Sequence, residues 1–194
     1  MMRQRGISLV ELIMFIVIVS VALAGILLVM DTVTRSSADP LIHKQSLAIA
    51  ESLLEEVELM PFTFCDPDDL NAASAVSATV GAGGCNSTVE AMGPEAAFAE
   101  QSATETRYST TTPFDNVNDY HGFGMAAGSI LDVTGTNTGV AGYTAGVAVA
   151  PVDFGGITVA SGDALQITVT VTGPDDVAVV VDGIRTRYAP RTLP

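Results

Sequence analysis

Basic residues are scarce. Eight lysines and arginines stand against 22 aspartates and glutamates in 194 residues, for a net charge of -14. Such a surface repels phosphate backbones and anionic headgroups, and the one basic run, "RTRYAPR" at Arg185 to Arg191, is too short to reverse that. Nucleic acid is therefore excluded as an expected partner. Cysteine and histidine number two each, and Cys65, Cys85, His43 and His121 lack the spacing of a zinc site. There is no Gly-rich phosphate loop and no GxSxG elbow. No enzyme signal remains, so neither a catalytic residue nor a cofactor is expected. The stretch "FDNVNDY" (Phe114 to Tyr120) offers Asp115, Asn116, Asn118 and Asp119 as oxygen donors of the kind calcium takes, but it lacks the EF-hand spacing and terminal bidentate acid. It reads as a turn whose Asp and Asn side chains bond their own backbone while Phe114, Val117 and Tyr120 anchor it to a core, and no metal site is expected there.

What the chain does have is one long hydrophobic run. From Ile7 to Met30 the only ionisable side chain is Glu11. At ~1.5 Å rise per residue a helix over this run reaches roughly 36 Å, enough to cross the hydrocarbon with some tilt. An acid in such a helix costs on the order of 2.5 to 3.5 kcal/mol near the middle and less near the interface, where Glu11 falls, so it calls for a partner or a role. Arg3 and Arg5 ahead of the run place the N-terminus in the cytoplasm and the rest of the chain on the far side of the membrane. That side is oxidising, and a disulfide between Cys65 and Cys85 is expected, worth roughly 3 kcal/mol for a loop of this size. The alternative, a cleaved secretory signal with "ALA" at Ala22 to Ala24 as its cleavage pattern, is opposed by the apolar residues that continue through "GILLVM" and by the acid within the run.

Of all the charged residues, only Arg3, Arg5 and Glu11 precede Asp31, so the acidic excess belongs to residues 31–194, a length suited to one domain. Past "DTVTRSSADP" (Asp31 to Pro40), Ile42, Ser46, Ile49, Leu53, Val57 and Met60 recur at helical spacing, with Lys44, Glu51, Glu55 and Glu58 opposite them. This amphipathic helix is capped by Asp39, with Pro40 in its first turn, and Pro61 stops it; it either stands alone or continues the membrane helix as one rod, from about Ser8 to Met60, kinked near Pro40. From Cys65 to Thr112 no period is sustained, and loops with at most a short helix are expected. "LQITVTVT" (Leu165 to Thr172) then alternates cleanly as a half-buried strand. "GPDD" turns the chain, "VAVVVDGIRTRY" returns beside it, and Tyr143, Ala145, Val147 and Val149 mark a further strand. The expected fold class is α+β, a long N-terminal helix packed on a small antiparallel sheet, because each has one apolar face to cover.

"RG" followed by "ISLVE" resembles the prepilin signal of type IV pilins and type II secretion pseudopilins. The resemblance implies a leader of residues 1–6, cleavage by a prepilin peptidase between Gly6 and Ile7, N-methylation of Ile7, an assembly helix over residues 7–30 and a globular domain over residues 31–194. Ile7 departs from the family's usual phenylalanine. "DPLIHKQSLAIAESLLEEVELMPF", "CDPDD", "FDNVNDYHGF", "AGYTAGVAVA" and "GIRTRYAP" further resemble minor pilins of the mannose-sensitive haemagglutinin (MSHA) pilus, which implies a structural role in surface attachment. The two cysteines follow the helix at once instead of bracketing a C-terminal loop, so the disulfide-bounded loop of major pilins does not carry over. In this family Glu11 would neutralise the N-terminal amine of a neighbouring subunit during assembly. Implied partners are other pilin subunits, the prepilin peptidase and, before assembly, the inner membrane; after assembly the chain would lie in an extracellular pilus. The alternatives are a pseudopilin of a secretion system and a membrane-tethered ligand-binding module. Intact mass and N-terminal sequencing of the membrane form are expected to give Ile7, methylated, as the first residue; a chain beginning at Gly25 would establish the secretory reading.

Overall fold

The computed structural model describes residues 8–95 and 104–187. By contact density the chain forms two units, one ending at Ile42 and one starting at His43. Gly6, Ile7 and the two arginines before them lie outside the described residues, as does the end of the basic run from Tyr188 onward.

A single helix, α1, runs Leu9–Leu59 with Pro40 inside it. Of the two readings of the sequence, one helix from about Ser8 to Met60 is the one found, and no second helix begins at Asp39. A proline in a helix interior removes one hydrogen bond and crowds the carbonyl a turn earlier, yet strong helix formers from Leu41 onward carry the helix past it. Pro61 ends the run, since the residue before a proline disfavours helical backbone.

In the second unit the buried stripe of α1 is Ser46, Ala50, Leu53 and Val57, while Lys44, Glu51 and Glu55 face solvent. Ile49 and Met60 flank this stripe and are half-buried, as is Ile42 at the end of the first unit. Glu58, expected on the outer face with the other charges, is instead half-buried beside Gly183, where any side chain would meet Glu58 and Leu54. The missing side chain lets helix and sheet approach closely at that point.

The sheet has four antiparallel strands in sequence order: β1 (Gly124–Met125), β2 (Thr144–Pro151), β3 (Ala164–Thr172) and β4 (Ala178–Thr186). Val147 pairs with Val169 and Val149 with Ile167 across β2 and β3, and Val169 pairs with Val181 across β3 and β4. With period 2 this register sets Ala145, Val147, Val149, Leu165, Ile167, Val169 and Val171 on one face, all buried. Two hydrogen bonds tie the face to α1: Tyr143 Oη donates to Gln45 Oε1 at 2.6 Å, and Arg185 Nη2 donates to the Met60 carbonyl at 3.3 Å. The fold is α+β in a pilin-like arrangement, a long N-terminal apolar helix with a small antiparallel sheet.

Between α1 and β1 the described chain makes turns, bridges and one short 3-10 helix, Val117–Tyr120. Cys65 and Cys85 are joined, with Cα atoms 5.4 Å apart, and pack with Ala72 and Ala75. Asp69 organises the same loop by accepting backbone N–H groups from Asn71, Asn86, Ser87 and Thr88 at 2.7–2.9 Å. Burial acts to raise its pKa, but these donors hold the carboxyl at about 2.

A second anchor joins the later loops to α1. Arg107 grips Glu56 through both forks, Nε to Oε1 and Nη2 to Oε2, each at 2.6 Å, and Tyr120 Oη donates to Glu56 Oε1 at 2.8 Å. The guanidinium also lies 5.0 and 5.4 Å from the rings of Tyr108 and Phe123. Only 4% and 12% of the Arg107 and Glu56 side chains reach solvent, so each charge depends on the other. Glu56→Ala is expected to lower the unfolding free energy by about 3–5 kcal/mol, because it strands a buried cation, whereas Glu56→Leu combined with Arg107→Met loses far less. Urea unfolding of the three proteins checks this.

Candidate functional site

Two regions carry chemistry that the packing alone does not require. The first is the N-terminal part of α1. Leu9–Val33 is a 25-residue stretch long and apolar enough to cross a membrane, and none of its residues is buried. Glu11 lies in its first turn, exposed among Leu9, Val10, Leu12 and Ile13. It is the one acid in that stretch outside the final turns, where Asp31 stands.

The second is a set of carboxylates among the loops of the globular unit. Asp66, Asp68 and Asp115 bring oxygens within 4.8 Å of one another; so do Asp66, Glu95 and Glu105, and so do Glu90, Glu95 and Asp119. Shared members merge the three groups into one cluster. Asp66, Glu95, Glu105 and Asp119 are buried. The backbone frames it: Asp119 Oδ2 accepts the N–H groups of Asp115 and Asn116 at 2.9 and 2.7 Å, and Glu95 Oε1 accepts that of Ala91 at 2.9 Å. The Glu95 N–H in turn donates to Glu105 Oε2 at 3.3 Å.

Crowding like charges in a dry space favours the protonated acid. Burial and the neighbouring Asp119 and Glu95 push Glu90 well above the carboxylate range. Burial, opposed by the Ala91 N–H and aided by Asp119, pushes Glu95 up to about 7. Burial and Asp119 raise Asp115 to about 8, and burial and Glu105 raise Asp119 to about 7 against its two backbone donors.

Of the residues expected to matter from sequence, the structure joins Cys65 to Cys85 and leaves Glu11 exposed on the apolar helix; Gly6 and Ile7 lie outside the described residues. Asp115 and Asp119 were named from the sequence as oxygen donors, but their meeting with Asp66, Glu90, Glu95 and Glu105 was not anticipated. The "FDNVNDY" stretch does form the expected turn, with Phe114 and Tyr120 stacked edge to face at 5.0 Å. Its acids, however, meet others from three distant loop segments that share no sequence period. The one available signal was the acid excess concentrated after Asp31.

Comparison with known families identifies the N-terminus. Residues 1–27 match the prokaryotic N-terminal methylation motif. With the apolar helix it runs into, the motif supports a type IV pilin-like protein, implies processing by a prepilin peptidase and fits anchoring in a membrane. No curated protein and no solved structure matches the chain.

The cluster sets a pH dependence. Carboxyls with folded pKa values of about 7 to 8, against ~4 when unfolded, bind more protons in the folded state between those values. Their stabilisation is complete below about pH 4 and is lost as pH rises through 7 to 8. In chelator, the urea midpoint is expected to fall between about pH 5 and about pH 8.5, and Glu95→Gln is expected to flatten that fall.

Proposed function

We propose that the chain is a structural minor pilin of an MSHA-like type IV pilus, resembling MshD, that primes the filament or is incorporated in it for surface attachment. The observation that carries this reading is the methylation motif over residues 1–27 set directly on an uncovered apolar helix with Glu11 in its first turn. The islands that resemble MSHA minor pilins, "FDNVNDYHGF" and "AGYTAGVAVA" among them, supply the choice of pilus. A pseudopilin of a type II secretion system would carry the same motif and helix, and genes for pilus assembly beside this one would decide against it.

On this reading the leader ends at Gly6, Ile7 becomes the methylated N-terminus, and residues 31–194 form the domain outside the cytoplasm. The inner membrane stores the subunit with its N-terminus cytoplasmic, and the filament later takes it up. The charge on Glu11 then has a purpose. A free amine and a carboxylate are each costly in a low-dielectric helix core and attract strongly there, so the amine of an incoming Ile7 and the Glu11 of a neighbour both gain by pairing.

Replacing Glu11 should leave the sheet domain's stability unchanged, since the acid belongs to the first unit and the sheet to the second, and should ease membrane residence by removing a charge. Glu11→Leu and the unaltered chain, expressed in a strain lacking the native copy, are expected to reach equal membrane levels and equal processing at Ile7. Recovery of the variant with sheared pili is expected to fall at least about tenfold, the equivalent of ~1.4 kcal/mol. Equal recovery would remove the assembly role of Glu11, and lost processing would assign Glu11 to the peptidase step.

A further inference from the structure

The carboxylates Glu90, Glu95 and Asp119 pose a problem that the protein's own groups solve only in part, through a hydrogen bond between the Glu95 and Asp119 side chains that needs one shared proton. Their oxygens converge within 4.8 Å. Asp119 is fully buried, and although its Oδ2 accepts two backbone N–H groups, its Oδ1 is buried with no donor. Both carboxylate oxygens of Glu90 are likewise buried without a donor. Among the described residues no lysine or arginine pairs with any of the three. Arg187 acts on Glu90 only through its field; its direct contacts go to Asp163, at 3.4 Å, and to the carbonyls of Thr63 and Gly162, to which it donates. Buried acceptors without donors cost about 1–3 kcal/mol each, more when charged, so a convergent set of them points to a missing positive partner.

We propose that Glu90, Glu95 and Asp119 form a buried divalent-cation site whose fitting ion is calcium. The donor set is all oxygen, with no cysteine or histidine, which disfavours zinc and suits a hard cation. Calcium holds its oxygens at ~2.3–2.6 Å, so any two of its ligands stand at most roughly 4.6–5.2 Å apart, a limit that oxygens all within 4.8 Å of one another meet. Magnesium requires a tighter octahedron at ~2.0–2.1 Å and gives up its waters reluctantly, which this dry, loop-built site does not suit.

The site also lies where a tie is useful. Glu90 and Glu95 belong to the segment after the disulfide, and Asp119 belongs to the 3-10 turn. Among the described residues one backbone bond links the two segments, from the Gly93 N–H to the Asn118 carbonyl at 3.0 Å. A divalent ion would cross-link loops that have little apolar surface to bury, and would replace repulsion between carboxylates with attraction to a shared charge. Millimolar calcium outside the cytoplasm would fill a site of the affinity typical of extracellular modules, Kd on the order of 10⁻⁴ to 10⁻³ M.

The test uses the full chain purified in detergent and stripped with chelator, followed by calorimetric titration and thermal unfolding with calcium chloride, magnesium chloride, or sodium chloride at matched ionic strength. Saturable calcium binding with a rise in Tm is expected, with magnesium much weaker and sodium without effect. Glu90→Gln is expected to weaken calcium binding by about tenfold or more, since affinity follows ligand charge, and to raise the metal-free Tm by relieving repulsion. Glu51→Gln, on the exposed helix face, should change neither. Asp119→Asn should act like Glu90→Gln, and if it fails to fold without its full carboxylate at the 3-10 turn, Glu90→Gln decides alone. Absence of calcium heat and of any Tm shift, or calcium binding that Glu90→Gln leaves unchanged, would overturn the site and assign the cluster to shared protons.

Discussion

The uncovered apolar surface of Leu9–Val33 is the constraint on which the rest depends. Apolar area left in water is unfavourable by roughly 25 cal/mol for each Å², so a helix of this length with no cover of its own must lie in lipid or against other helices. Hydrophobic burial is non-directional and does not distinguish the two environments strongly. The same surface therefore suits a membrane first and a bundle of like helices afterwards. On the proposed reading, Glu11 supplies what hydrophobicity lacks, a charge that marks register and partner.

The unit beginning at His43 solves the opposite problem, holding a small fold together with limited apolar material. Its regular core is the buried stripe of α1 against one face of β2, β3 and β4. The loops between helix and sheet rely on discrete ties instead: the Cys65–Cys85 bond, four backbone donors on Asp69, and the Arg107–Glu56 pair with Tyr120. Each is a polar or covalent device standing where a larger domain would bury more surface. The carboxylate cluster sits among these ties and, alone of them, gathers charge of one sign.

Sequence periodicity made the two regular elements legible. The alternation of Leu165, Ile167, Val169 and Val171 fixed which face of β3 is buried, and the spacing of Ser46, Leu53 and Val57 fixed the stripe of α1. β1 escaped because two residues, Gly124 and Met125, carry no period. Pro40 left two readings open, a helix start or one helix from about Ser8 to Met60, and the second holds, because the helix formers from Leu41 onward outweigh the cost of a proline in mid-helix. Glu58 misled because polarity suggested solvent, while the glycine opposite left room for its side chain. The cluster was invisible for a different reason: Glu90, Glu95, Glu105 and Asp119 come together through loop paths, and pattern along the chain holds no information about those.

On the proposed reading, the helix covered by lipid in the stored subunit is covered by other subunits in a filament. Photo-crosslinking from a probe at Leu27, an exposed apolar position of α1, tests this directly in cells whose surface filaments are then sheared off and separated from membranes. The account predicts that the chain is recovered in the filament fraction, cross-linked through Leu27 to the N-terminal helix of another prepilin-type subunit. A chain that stays wholly in the membrane fraction, with no subunit cross-linked at Leu27 while filaments assemble normally, would contradict it.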